Sequence, residues 1–265
     1  MKQRADLALF GRGLAKSREA AQALILEGRV YIDEKRVDKA SDPVEEGANL
    51  LVRGDMEAWA SRGAHKIEKA LDAFGIDVRG VVAMDIGAAS GGFTDVLLRR
   101  GASHVYAIDV GYGQLEWRLR QDPRVTVMER TNARTLTPAM FPLQPTFTVM
   151  DVSFISVRLV IPATAAVMGD AARFAVLIKP QFEAGRGEVG KNGVVREEGT
   201  HIRVLAEIRD FMPGIGLHLR ALEYSPIKGP KGNIEFLADI RRGEGAAVPD
   251  GDITALVRRA RADLG

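Results

Sequence analysis

The stretch VVAMDIGAASGGFTDVLLRRG, residues 81–101, decides the fold. Val81–Ile86 is an apolar run of strand length. Gly87, Gly91 and Gly92 form a glycine-rich turn, and Gly92–Arg100 has the apolar spacing of a helix. Glycines at such a turn let the backbone approach a ligand closely. Asp109 ends the next apolar run, 22 residues after Gly87. A carboxylate there can accept hydrogen bonds from both hydroxyls of a ribose. The pattern reads D-x-G-x-x-x-G-G, with Asp85 in the strand end, and is not the dinucleotide pattern G-x-G-x-x-G. An acid at Asp85 suits a ligand without phosphates that carries a cationic end. S-adenosylmethionine has an adenosine, a sulfonium and an ammonium, and fits. The expected cofactor set is Asp85, Gly87, Ala88, Ser90, Gly91, Gly92, Phe93, Asp109, Asn132 and Asp151. Asn132, in RTNAR, is placed either to touch the adenine edge or only to shape a turn.

Working outward, strands are expected at Val105–Val110, Val125–Glu129, Thr146–Asp151 and Phe174–Lys179, with helices at Leu115–Gln121 and Val157–Met168 between them. A helix at Ala64–Phe74 precedes them. This alternation predicts a parallel sheet covered on both faces. The pattern then breaks. A helix at Thr200–Met212 leads to LHLRALEYS, a loop, and IEFLADI, two runs placed to pair as a hairpin. A helix at Ile253–Asp263 follows. The predicted fold is α/β, a Rossmann-like sheet of parallel strands with one antiparallel final strand. A small N-terminal α+β unit precedes it.

That unit is expected over residues 1–59, with 60–63 as a linker and 64–265 as the larger domain. Helices are predicted at Asp6–Phe10 and after Ser17, an N-cap, up to Gly28. Short strands are predicted near Val30–Ile32 and Asn49–Arg53. Residues 1–60 carry ten basic against eleven acidic residues. Lys2, Arg4, Arg12, Lys16 and Arg18, however, face Asp6 alone in the first 18. A basic helix face follows, with Arg4, Arg12, Lys16 and Arg18 expected to meet RNA phosphates. An ordinary solvated surface is the plain alternative.

Composition bounds the rest. The 265 residues are 46% hydrophobic and 27% charged, with net charge +2 and no cysteine. Disulfides and thiolate zinc sites are excluded. No apolar run approaches the ~18–20 residues that span a bilayer. A cytoplasmic, monomeric protein without metal or membrane insertion is expected.

FAVLIKPQF, residues 174–182, raises a separate question, because a fully apolar strand ends on Lys179. Ligands of parallel sheets sit outside the carboxyl ends of the strands. Asp151 ends the fourth strand of the sheet, and Glu235 begins the last one. Lys179, Asp151 and Glu235 therefore converge on one rim, with Lys66 on the preceding helix as a fourth member. A ribose hydroxyl is a poor nucleophile until its proton is drawn away. A lysine there would act as general base once desolvation and a second ammonium favour its neutral form. Alternatively it would stay charged and stabilise the developing alkoxide.

These segments resemble a known family. SRGAHKIEKAL, DIGAASGGFTDVLL, AIDVGYGQL, RTNAR, DVSFIS, IKPQFEAG and GPKGNIEF are similar to the TlyA (hemolysin A-like) ribosomal RNA 2′-O-methyltransferases. GLAKSREAAQALILEGRVYID resembles the alpha-L RNA-binding motif, and the remainder resembles an FtsJ-type methyltransferase. The resemblance implies a class I methyltransferase domain and a catalytic set of Lys66, Asp151, Lys179 and Glu235. It also implies S-adenosylmethionine as cofactor, and ribosomal RNA and ribosomal subunits as partners. The methylated residue would be a cytidine in large-subunit RNA. Small-subunit methylation is a property of longer members, which the C-terminal helix resembles. An amino-group methyltransferase would carry a proline-containing turn where this chain has Asp151-Val152-Ser153-Phe154. A non-catalytic RNA-binding protein would not need the four charged residues. A cytolysin would need a segment to insert.

Overall fold

The structure, a computed structural model, describes residues 2–15, 17–26, 28–33, 35–52, 59–243 and 245–265, with the backbone alone at 186. The chain divides into two compact units, Met1–Ala58 and Trp59–Gly265.

The first unit holds β1 (Lys2–Arg4), α1 (Ala5–Gly11), α2 (Arg18–Leu26), β2 (Val30–Ile32), β3 (Lys35–Arg36), β4 (Pro43–Glu45) and β5 (Leu50–Val52). Ser17 caps α2: its Oγ accepts the Ala20 N–H at 3.1 Å. Leu9, Ala21, Ile25, Val30, Val44 and Leu50 close a small core. Strand β2 lies between β3 and β5, and β1 pairs antiparallel with β4. The β1–β4 pair was not foreseen. KQR and PVE are too short and polar to show a period, and their pairing joins residues some forty positions apart.

The second unit runs α3 (Ala64–Ala73), β6 (Val82–Ile86), α4 (Gly92–Arg99), β7 (His104–Ile108), α5 (Trp117–Arg120), β8 (Val125–Met128) and β9 (Phe147–Met150). It continues with α6 (Ile161–Met168), β10 (Arg173–Ile178), α7 (Pro180–Glu183), α8 (Glu198–Phe211), β11 (Leu217–Tyr224), β12 (Phe236–Arg242) and α9 (Asp250–Leu264). Seven strands form one sheet in the order β11-β12-β10-β9-β6-β7-β8. All lie parallel except β12, which is antiparallel to both β10 and β11. This is the fold the sequence predicts. The strands alternate between two apolar layers. Met84, Ile86, Tyr106 and Met150 face the layer of α6, α8 and α9, whereas Ala83, Val105, Val149 and Leu177 face α3 and α4. Both faces are covered, as a parallel sheet requires.

The chain builds outward from β6 to β7 and β8, then returns to β9 on the other side of β6. That reversal opens a crevice at the carboxyl ends of β6 and β9. Two predicted helices come out shorter. Residues 157–159 form a 3₁₀ turn, and α6 starts only at Ile161, because Pro162 is tolerated in a first helical turn and not in an interior. Helix α5 begins at Trp117, since Glu116 N–H bonds to Ser90 O at 3.1 Å and Glu116 itself lies outside helical dihedrals at ψ 139.

Candidate active site

The rim is built by strand register. In the β10–β12 pair Ile178 stands opposite Phe236, so Lys179 and Glu235 are the next residues outward on neighbouring strands. Asp151 follows Met150 of β9, and its N–H is tied to Ile86 O at 2.9 Å. Pro180 starts α7 directly after Lys179, which biases the lysine toward its extended conformation. Lys66 sits on the buried face of α3 with Ala64, Ile67 and Ala70.

The four side chains form two ion pairs. Lys66 Nζ meets Glu235 Oε2 at 2.7 Å, and Lys179 Nζ meets Asp151 Oδ1 at 2.6 Å. The second contact is a close ion pair. Three of the four residues are buried: Lys66 7%, Lys179 8% and Glu235 1% exposed. Two partners were not foreseen. Ser153 Oγ accepts from Lys179 Nζ at 2.8 Å, and Gln181 Nε2 donates to Glu235 Oε1 at 3.2 Å. Gln181 stands two residues after Lys179 in the quoted KPQ segment, so a signal was present.

Beside this rim a cavity of about 490 Å³ opens at the crevice, lined by Gly87, Ala89, Asp109, Asn132, Asp151, Ser153 and Phe154 among others. Gly87 has φ +83, and a Cβ there would stand 2.6 Å from Asp151 O. The glycine therefore lets the two loops meet. Asp109 holds the turn open, accepting the Ala89 N–H at 2.9 Å and the Gly111 N–H at 2.7 Å. Asn132 accepts the Arg134 N–H at 3.1 Å, shaping its turn while lining the cavity.

Asp85 is fully buried beneath the loop. Its Oδ2 accepts the Thr94 N–H and O–H at 2.9 and 2.7 Å, and its Oδ1 is buried with no hydrogen-bond partner among the described residues. Burial first, and then the charges of Asp151 and Asp109, push its carboxyl up to about 7. Several expected cofactor residues lie outside the cavity lining. Ala88 and Phe93 pack into the core, a Cβ on Gly92 would strike Ser61 Oγ, and one on Gly91 would strike Leu119. Ser90 serves through its carbonyl, which holds Glu116.

Phe154 stands at the cavity mouth, 90% exposed and at φ +64, with its ring centroid 5.0 Å from that of Phe182. An exposed aromatic in that backbone region marks an imposed conformation. Glu183 pins the loop just beyond it: its carboxylate accepts the Ser156 O–H at 2.6 Å and the Val157 N–H at 2.8 Å. Burial raises the pKa of that carboxyl.

Comparison with known proteins places this arrangement. Residues 59–242 match the family model of FtsJ-like methyltransferases, and residues 3–50 match the S4 domain. The chain belongs to the FtsJ-like methyltransferase family. It is 45% identical, over 97% of its length and 96% of the relative, to the 16S/23S rRNA (cytidine-2′-O)-methyltransferase TlyA of Mycobacterium tuberculosis. It is 39% identical to hemolysin A of Brachyspira hyodysenteriae over 89% of this chain and 98% of the relative. A solved structure from Streptococcus thermophilus, described as a candidate hemolysin, shares 41% identity with a TM-score of 0.78, covering 99% of this chain and 96% of that one. The FtsJ-like unit is thus the catalytic module of a methyltransferase, and the S4 unit is an RNA-binding type of module. Among the described residues no helix is long and apolar enough to cross a membrane, and no cluster of His, Cys, Asp or Glu could hold a metal ion.

In the S4 unit the expected RNA contacts have internal duties. Arg4 and Arg18 reach the buried Asp6 at 3.0 Å, with Gln22 at 2.9 Å. These bonds, led by Arg4, hold the Asp6 carboxyl well below the usual carboxylate range. Both arginines keep nearly half their side-chain surface exposed, at 45% and 48%. Arg12 donates to three carbonyls, Glu45 O, Glu46 O and Ala48 O. Lys16 lies outside the described residues.

Proposed function

We propose that this chain methylates the 2′-hydroxyl of a cytidine ribose in ribosomal RNA, with S-adenosylmethionine as methyl donor. The observation that carries the reading is the Lys179–Asp151 pair, its lysine buried and its carboxylate half-buried at the rim of a cavity to which Asp151 and Ser153 both contribute. The cavity suits the donor. It offers Asp109 to a ribose, and Asn132 and apolar walls to a base; Asp85, buried beneath the loop outside the lining, keeps an oxygen with no hydrogen-bond partner among the described residues and would favour a cationic end above it. When bound, the donor supplies a methyl group already activated by its sulfonium.

The residues of the chain then have separable tasks. Lys179, fixed by Asp151 and Ser153, presents an ammonium to the hydroxyl oxygen and stabilises negative charge that develops there. Asp151 orients that ammonium, and its second oxygen faces the hydroxyl proton. Lys66 and Gln181 lock Glu235, which fixes the neighbouring turn. Alignment of oxygen and methyl carbon contributes the remainder. Phe154 offers a face on which an extruded base can stack, as enzymes acting on flipped nucleotides require. Arg4 and Arg18 of the S4 unit retain exposed surface for RNA phosphates.

The test uses ribosomal subunits incubated with the protein and labelled donor. Ribose methylation leaves an alkali-resistant dinucleotide, and mass mapping locates it. The 45% identity to a 16S/23S enzyme supports modification of both subunits. Label recovered only in base-methylated nucleosides would overturn the reading, as would RNA binding without any transfer.

A further inference from the structure

Gln181 touches two places at once. Its Nε2 donates to Glu235, and the same residue lines a second cavity of about 930 Å³. Its Oε1 is buried and has no hydrogen-bond partner among the described residues. The other walls come from two glycine-bounded turns that carry Lys191 with Asn192, and Lys231. These turns are fixed to each other. Asn233, only 2% exposed, donates to Gly193 O at 2.8 Å and accepts the Val195 N–H at 3.0 Å. A Cβ on Gly193 would stand 3.5 Å from Lys231 Nζ. The lysine turn also rests on the catalytic rim, since a Cβ on Gly229 would come within 2.6 Å of Glu235 Oε1.

Charge sets this hollow apart. Most cations of the unit are matched: Arg100 with Asp72, Arg118 with Asp95, Arg173 with Asp239 and Arg203 with Glu188. Lys191 and Lys231 form no ion pair among the described residues. Glu188, three residues before Lys191, and Glu235, four after Lys231, are already neutralised, by Arg203 and Lys66. Two uncompensated ammonium groups across a rigid polar groove present a field suited to a chain of phosphates.

We propose that this groove binds the phosphodiester backbone of the RNA strand flanking the target ribose, with Gln181 as the positioning residue that couples the strand to Glu235. The inference deepens the proposed ribose methylation and rests on it. The strand leaves the rim between the two turns. Its phosphates engage Lys191 and Lys231, and Gln181, in the groove wall, passes the seating of the strand to Glu235 through its Nε2.

The test compares the full chain with a Lys191→Gln/Lys231→Gln variant. Affinity for a labelled 12-nucleotide polycytidylate is measured by fluorescence anisotropy across potassium chloride concentrations, without methyl donor. Each phosphate contact to a single strand adds about 0.7 to the slope of log affinity against log salt. The double variant should therefore lose about 1.4 of slope and bind roughly tenfold more weakly at 0.1 M salt. Lys191→Arg/Lys231→Arg should restore the slope. With ribosomal subunits the glutamine variant should raise KM while kcat and S-adenosylmethionine affinity stay unchanged. Gln181→Met should lower kcat at an unchanged salt slope. An unaltered slope and KM in the glutamine variant overturns the groove assignment. Because binding is read without turnover, loss of the methylation reading, with wild-type protein binding RNA yet transferring nothing, is a separate and recognisable result.

Discussion

Replacing Asp85 by Asn should make the donor-free protein more stable and the donor bind less well. A carboxyl that titrates at about 7 in place of its ordinary 3.8 costs about 4 kcal/mol to ionise, at about 1.36 kcal/mol per pH unit. The sign follows from linkage. Between the two values the folded state holds a proton the unfolded chain has lost, so stability declines as pH rises from about 4 to about 7 and stays lowered above it. Asparagine keeps an oxygen for the Thr94 N–H and O–H and removes the charge. Thermal unfolding of both proteins without donor, at pH 5 and pH 8.5, measures the effect. At pH 5, already above the ordinary value of 3.8, the variant should lead by about 1.6 kcal/mol. At pH 8.5 the variant should be more stable, by at most about 4 kcal/mol, and each kcal/mol is worth about 2–4 °C in a domain of this size. The same charge favours a cationic ligand by up to about 4 kcal/mol at 4 Å and an effective dielectric constant near 20. Calorimetric affinity for S-adenosylmethionine should therefore fall by tenfold or more. A difference in melting that is constant with pH, or an unchanged donor affinity, would refute the assignment of strain and purpose to this buried acid.

Three further outcomes follow from single contacts. Gly229→Ala drives a methyl group into Glu235 and should lower kcat at least tenfold while thermal stability holds, in steady-state kinetics beside a melting curve. Glu183→Ala leaves the Ser156 O–H and Val157 N–H without their acceptor, costing about 1–3 kcal/mol in denaturant unfolding and raising KM for RNA; Glu183→Gln should lose far less. The Asp6 carboxyl, held low by Arg4 above all, stabilises the S4 unit above its ordinary value of 3.8 and loses that effect as pH falls through the lowered one. Asp6→Asn should therefore weaken this unit at pH 7, read as faster hydrogen exchange confined to residues 2–50.

What the sequence made legible follows from the range of the forces involved. The sheet was readable because strand, glycine turn and helix recur within about twenty residues, and both apolar layers leave their period in the chain. Lys179 was readable because a charge ending a fully apolar strand is unusual. Lys66 was readable only from its place on the helix before the first strand and from the family resemblance. Partner choice was not readable. Ser153 with Lys179, Gln181 with Glu235 and Glu183 with Ser156 join residues 26 to 54 positions apart, and only the register of β9, β10 and β12 brings them together. The glycine loop divides for a related reason. Gly91, Gly92 and Phe93 belong to the same motif as Gly87, but helix α4 turns them toward Leu119, Ser61 and the core. Chain proximity to a ligand loop does not decide which face of the following helix a residue takes.

The catalytic rim is two devices rather than one. In the Lys66–Glu235 pair the side chains are 9% and 1% exposed, and the pair is joined to Gln181 and pressed by the Gly229 turn. In the Lys179–Asp151 pair the side chains are 10% and 22% exposed, and Asp151 lines the donor cavity. A buried ion pair contributes little net stability over apolar packing, but removing one partner costs about 3–5 kcal/mol because the other charge is stranded. The first pair is therefore poorly suited to proton exchange, since either proton movement would strand a charge with almost no access to water. The second has a half-buried carboxylate that lines the cavity and a hydroxyl, Ser153, across which charge can redistribute. On the proposed reading this difference in burial divides the labour: Lys66 and Glu235 would hold the turn that borders the proposed RNA groove, and Lys179 with Asp151 would meet the reacting oxygen.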